Sequence, residues 1–281
     1  MLPLSLILNG LLINAQTENG LFSPQNRLLF GNHLFEQKDY IRAIDEFLVV
    51  MQHERNDTLQ FKIAFAYQTI GEYDVSNDYF RGLFFSDSFG EQSILEYCKN
   101  NFFLLSREEY SAFVDESKIL SESSISNVES LRNLSNLSGG FLPSDSLQFI
   151  KPFDLRYKED AAKFYHEKLN PGYKSLTTAA LLSAVIPGLG KVYTDNITDG
   201  LTGFLVTGVL SFLAYDNFRA EHDFRAWLFT GLAAYFYAGN IYGSIAAADI
   251  FNAGIKIDFD NKIDAYLKQV NYFIPKHGLF K

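Results

Sequence analysis

The sequence predicts an all-α protein, with αα-hairpin repeats in its N-terminal half and a C-terminal bundle of two to three transmembrane helices. Two observations carry this. Small and apolar residues recur with a 33-residue period inside residues 22–150. Beyond Lys174 the charge thins abruptly, leaving uncharged stretches of 16, 16 and 23 residues. The overall balance sets further limits. A chain of 281 residues with 47 % apolar and 20 % charged residues can bury a sizeable core, which rules out wholesale disorder. Its net charge is −9, and residues 1–175 hold 16 basic against 24 acidic side chains. An acidic chain without a Lys/Arg cluster offers nucleic acid a poor electrostatic footprint. The one cysteine, Cys98, excludes a disulfide framework, an iron–sulfur cluster and a multi-thiolate zinc site.

Residues 1–15 open with the apolar run MLPLSLILNGLLI and end on a small residue, Ala15. That pattern reads as a secretory signal cleaved after Ala15. No Lys or Arg precedes the run, as would follow from a start upstream of Met1. The alternative is a buried terminal helix, which Asn9-Gly10 and Asn14 suit poorly.

In the repeat segment, Gly31, Leu34, Tyr40, Ala43, Phe47 and Val50 are followed 33 residues later by Ala64, Tyr67, Tyr73, Ser76, Phe80 and Leu83. A degraded third copy runs through Asn101, Leu104, Tyr110, Phe113 and Leu120. Each copy has two apolar stripes at helical spacing with a polar turn between them, and stacked hairpins bury faces that one hairpin alone cannot. These residues resemble the tetratricopeptide repeat, in which a small residue on the first helix packs against a small residue on the second. Gly31 with Ala43, and Ala64 with Ser76, match those positions, and Phe47 and Phe80 match the aromatic of the second helix. Arg27 and Arg55 depart from the family's opening Trp and closing Pro. The alternative is a plain helical bundle with a coincidental spacing.

Val128, Leu131, Leu134 and Leu137 keep a helical spacing that Gly139-Gly140 ends. This is the first helix of a last, irregular hairpin, whose partner starts at Ser144–Ile150 and closes at Lys151-Pro152. Residues 151–174 form a linker with an amphipathic helix, Tyr157–Asn170, carrying Tyr157, Ala161, Phe164, Tyr165 and Leu169 on one face.

Residues 175–254 read as a membrane domain, followed by a polar tail over 255–281. A bilayer core takes roughly 20 helical residues, so Ala226–Ala248 qualifies alone, while the two shorter stretches need polar ends or a re-entrant path. Gly239-Asn240-Ile-Tyr-Gly243 is a small-xxx-small pattern for close helix contact. Pro187-Gly188-Leu189-Gly190-Lys191-Val192-Tyr193, followed by Asp199-Gly200, resembles a widespread family of small bacterial membrane domains without an established activity. In that family the motif ends the first helix and opens the turn to the next, and the domain often follows periplasmic or repeat-containing segments. Three crossings, which would leave the tail in the cytoplasm, are favoured by the five Lys of the tail.

Motifs for chemistry are missing. Tyr193 occupies the third glycine position of a dinucleotide loop, and Val185 and Val192 break a phosphate loop. His166-Glu167 lacks the second His of a zinc-protease helix, and Cys98 has no catalytic context. No catalytic residue, cofactor or metal is expected. The chain therefore reads as a non-enzymatic, membrane-anchored adaptor whose extracytoplasmic repeats bind a protein or peptide at the inner membrane. The alternative makes the bundle active in insertion or transport, which ionisable groups inside the spans would favour.

Overall fold

The computed structural model describes residues 20, 22–116, 122–269 and 273. The signal reading of residues 1–15 and Leu120 of the third copy lie outside the described residues. These residues form thirteen helices and no strand. They divide into two compact units. One holds the chain up to His166 together with the segment from Ile263, and the other holds Glu167–Lys262.

The first unit begins with four helices in two hairpins: α1 (Pro24–Glu36), α2 (Tyr40–Met51), α3 (Asp57–Ile70) and α4 (Tyr73–Arg81). Side-chain caps start the first three, with Ser23, Asp39 and Asn56 each accepting a first-turn backbone N–H. The turns are tight because Lys38 and Gly71 take left-handed conformations, at φ 62° and 91°. Their core is one continuous cluster in which Ala43, Phe47, Phe61, Ala64 and Phe80 are all fully buried. Next come α5 (Gly90–Leu104) and α6 (Arg107–Glu116), then α7 (Glu122–Ser138) and α8 (Ser146–Ile150). The inner stripe of α7 is the expected one, with Val128, Leu131, Leu134 and Leu137 fully buried, and Gly140 (φ 84°) follows it.

Helix α9 (Lys158–Leu169) buries Ala161 and Tyr165, and Phe164 meets Tyr266 edge-on at 5.3 Å. Leu169, expected on that packed face, is instead exposed, because it is the last residue of the helix. The division between the units falls inside α9, after His166.

The second unit contains α10 (Leu176–Val185), α11 (Leu189–Tyr193), α12 (Ile197–Arg219) and most of α13 (Asp223–Gln269). Helix α12 is the described helix long and apolar enough to cross a membrane by length and composition. The stretch Ala226–Ala248 lies inside α13, where Tyr235, Tyr237, Asn240, Tyr242 and Ser244 lower its mean hydropathy, so it does not stand beside α12 by composition. The first stretch is also shorter than a span. Helix α10 has 10 residues, about 15 Å at 1.5 Å per residue. The chain turns at Pro187, and α11 returns until the Tyr193 hydroxyl accepts a hydrogen bond from Ser175 N at 3.3 Å. Helix α13 continues through Lys256 to Gln269.

Burial in this unit runs opposite to that of a water-soluble domain. Up to Ala248 its buried residues are small or polar, among them Ala179, Ser183, Gly190, Gly200, Thr207, Ala214, Asn240, Ser244 and Ala248, and only beyond them is a large ring, Phe259, buried. Its outer surface is large and apolar, with Leu205, Val209, Phe212, Phe224, Trp227 and Ile250 each about half exposed or more.

Candidate functional site

The repeat unit carries a groove of about 610 Å³ at the ends of α1 and α3 and the starts of α2 and α4. Aromatic rings of Phe35, Tyr40, Phe65 and Tyr73 form its walls, and Lys38 and Lys268 line it with one acid, Glu36, while Lys99 is held by Glu96. In a chain of net charge −9, this is a locally basic recess. Lys268 comes from the last turn of α13, and its ammonium lies 5.2 Å from the Phe103 ring centre.

A buried polar network supports one wall. Gln68 of α3 donates to Glu96 Oε2 at 2.9 Å and to Asn100 Oδ1 at 2.7 Å. Asn100 donates in turn to Ser76 Oγ and Asn77 Oδ1, both at 2.9 Å. Ser76 Oγ donates to the Ala64 carbonyl at 2.8 Å, and Lys99 pairs with Glu96 at 3.4 Å. Three helices are thereby held in one register by directional bonds rather than by packing alone.

The small residues matched to the repeat family sit where helices approach. A Cβ on Gly31 would stand 2.7 Å from the Phe47 ring. Ala43 and Ala64 are fully buried, and Ser76 reaches the backbone beside Ala64. Phe80 meets Phe61 edge-on at 5.4 Å. These residues build the core under the groove and do not line it. Glu96 and Asn100 have no counterpart in the periodic pattern. The signal for them was a run of polar residues, Lys99-Asn100-Asn101, on the buried side of a helix.

In the second unit the Pro-Gly motif residues converge. Gly188 (φ 85°) lies so close to α12 that a Cβ would fall 2.0 Å from the Gly200 carbonyl oxygen. A Cβ on Gly190 would fall 1.9 Å from the Ala179 carbonyl oxygen, so α10 and α11 touch backbone to backbone. The groups freed by the turn find protein partners. Gly190 N donates to Ser183 Oγ at 2.9 Å, Ser183 and Ser244 share a 2.6 Å hydrogen bond, and the Tyr237 hydroxyl donates to the Ala184 carbonyl. Such satisfaction is the condition for breaking a helix away from water. Tyr193 lies under the Lys174 ammonium, 4.8 Å from its ring centre, and Asn252 holds Lys174 by both its N–H and its carbonyl.

Close contact at Gly239 is not observed: a Cβ there would meet nothing within 4 Å. The tight approach of α12 and α13 is made at Gly203, where a Cβ would lie 2.1 Å from Asn240 Oδ1. Asn240 donates to the Gly203 carbonyl and to Thr207 Oγ1, at 3.3 and 3.1 Å. Gly243 faces the Lys191 stem, which a Cβ would approach to 3.1 Å. Lys191 and Asp199, both part of the Pro-Gly motif, line a groove of the bundle. Ser183, Ser244 and Gly203 went unmarked because single small residues in an apolar run carry no period of their own.

Among the described residues no group of three His, Cys, Asp or Glu side chains is placed to hold a metal ion. Burial pushes the Cys98 thiol up to about 12, so at neutral pH it is a protonated core group and a poor nucleophile. No family model, curated protein or solved structure matches the chain.

Proposed function

We propose that the protein is a membrane-anchored, non-enzymatic adaptor whose helical repeats receive a protein or peptide partner at the inner membrane. The observation that carries the anchor is the inverted burial of the second unit, with small and polar residues inside and large apolar ones outside. Such a surface is stable against lipid, where helices associate through small residues and interhelical hydrogen bonds, and costly against water. The partner reading is supported by the aromatic, basic recess of the repeat unit, which suits an acidic peptide segment.

Two crossings, α12 and α13, with α10 and α11 as a re-entrant pair, replace the three expected from charge bias. At about 15 Å, α10 is half of the roughly 30 Å hydrocarbon core. The end of α13 belongs to the same compact unit as the repeats, which supports an even number of crossings between them.

The test has two parts. Full-length protein should stay with membranes after a carbonate wash. A photo-crosslinking residue at Ile70, which lines the recess, should capture a partner in intact cells that the same residue at Phe85, exposed elsewhere, does not. Recovery in the soluble fraction sinks the anchor, and identical capture at both positions sinks the recess as the partner site.

A further inference from the structure

A second groove, of about 370 Å³, runs between α11, α12 and α13. Its floor is open because position 239 has no side chain, and a Cβ there would enter empty space. Two charges of opposite sign line it, Lys191 and Asp199. They do not neutralise each other. Lys191 makes no ion pair or side-chain hydrogen bond among the described residues, and Asp199 accepts only the Asn196 carboxamide, at 3.0 Å. Asn240 also lines the groove, but its two N–H groups go to Gly203 and Thr207 and its Oδ1 packs into the notch at Gly203, so Asp199 is the acceptor the groove offers. Around the mouth, Tyr235 and Phe236 are exposed and continue the apolar outer surface.

A ligand for this groove needs an anionic group for Lys191 and a cationic N–H donor for Asp199, joined by a short linker. It also needs an apolar body to lie over Phe236. A purely anionic headgroup would leave Asp199 opposed to like charge, and a quaternary ammonium would bring no N–H to its carboxylate. We propose that the groove binds the headgroup of a zwitterionic phospholipid carrying a primary amine, with phosphate on Lys191 and ammonium on Asp199. This rests on the membrane placement proposed above.

The full chain is reconstituted into phosphatidylcholine vesicles containing equal amounts of phosphatidylethanolamine and phosphatidylglycerol, extracted in mild detergent, and weighed intact by native mass spectrometry. Phosphatidylethanolamine should be retained about tenfold over the other two lipids. Gly239→Leu puts a side chain into the groove from a position where its Cβ meets no neighbour, and a leucine suits a helix better than glycine. It should remove the selectivity while leaving the thermal melt of the helix signal unchanged or raised. Lys191→Met should remove it too, and Asp199→Asn should raise phosphatidylglycerol retention at the expense of phosphatidylethanolamine. Equal retention of the three lipids, or selectivity that survives both Gly239→Leu and Lys191→Met, overturns the site. Soluble phosphoethanolamine retained by the detergent-extracted chain while phosphatidylethanolamine is not would overturn the lipid as occupant. A chain that never enters the vesicles overturns the membrane placement instead, which keeps the two failures distinguishable.

Discussion

Asn100 is the hub of the polar network, accepting from Gln68 and donating to Ser76 and Asn77. Asn100→Ala leaves buried amide and hydroxyl groups short of partners, at about 1–3 kcal/mol for each. Lys99→Met removes the cation beside a carboxylate that is fully buried, and breaking such a pair costs about 3–5 kcal/mol. Urea unfolding of the full chain in detergent, followed by circular dichroism, should give both losses, with Lys99→Met the larger. Cys98 supplies a pH test. Burial lifts it to about 12 from an ordinary 9.0, so the stability from a neutral buried thiol is present below pH 9 and is lost as pH rises toward 12. The fully buried Tyr110 is pushed up by burial as well, in the same direction. Cys98→Ala should flatten part of the alkaline decline, and the native thiol should resist a thiol reagent at pH 8 until the chain is unfolded.

At the scale of helices, glycines that look alike in sequence separate sharply. Gly190→Ala would drive a Cβ into the Ala179 carbonyl and force α10 and α11 apart. Gly208→Ala meets nothing within 4 Å and gains about 0.5–1 kcal/mol of helix propensity. Thermal melts of the two variants should move in opposite directions. Ala43→Leu, at a fully buried position between α1 and α2, should overpack the hairpin at a cost of about 1–3 kcal/mol. A melt unchanged by this substitution would speak against the repeat packing. Most hairpins of the first unit were legible in the sequence, because small and aromatic residues mark a periodic contact: Gly31 on Phe47, Ser76 on Ala64, Leu131 and Leu134 along α7. The recess was not legible. Its residues come from turns and from the distant end of α13, and no local period joins Lys38 to Lys268. The α10–α11 pair was half legible. Pro187 and Gly188 announced the break, but Ser183 and Ser244, which make it affordable, are ordinary residues until the fold places them 2.6 Å apart.

For the whole molecule, side-specific labelling tests the crossing number. Ala265 in α13 and His53 after α2 are exposed positions in the repeat-bearing unit, and Ala220 lies in the turn between α12 and α13. With two crossings, cysteines introduced at positions 53 and 265 should react together with an impermeant maleimide on intact spheroplasts, and one at position 220 only after lysis. Reaction at 53 without 265 would restore the three-crossing arrangement. The native Cys98 does not interfere, since it is buried.

The shortness of α10 and α11 makes the second unit thicker at one end than at the other. Helices α10 and α11 lie beside the first turns of α12, at Gly188 and Gly200, and beside α13 from Tyr237 to Asn252. The opposite end, where Phe218 meets Trp227, consists of α12 and α13 alone. In a bilayer that bundle would present four helices to one leaflet and two to the other. It would be a wedge, displacing more lipid area on one side than on the other, and its preferred surroundings would be curved rather than flat membrane.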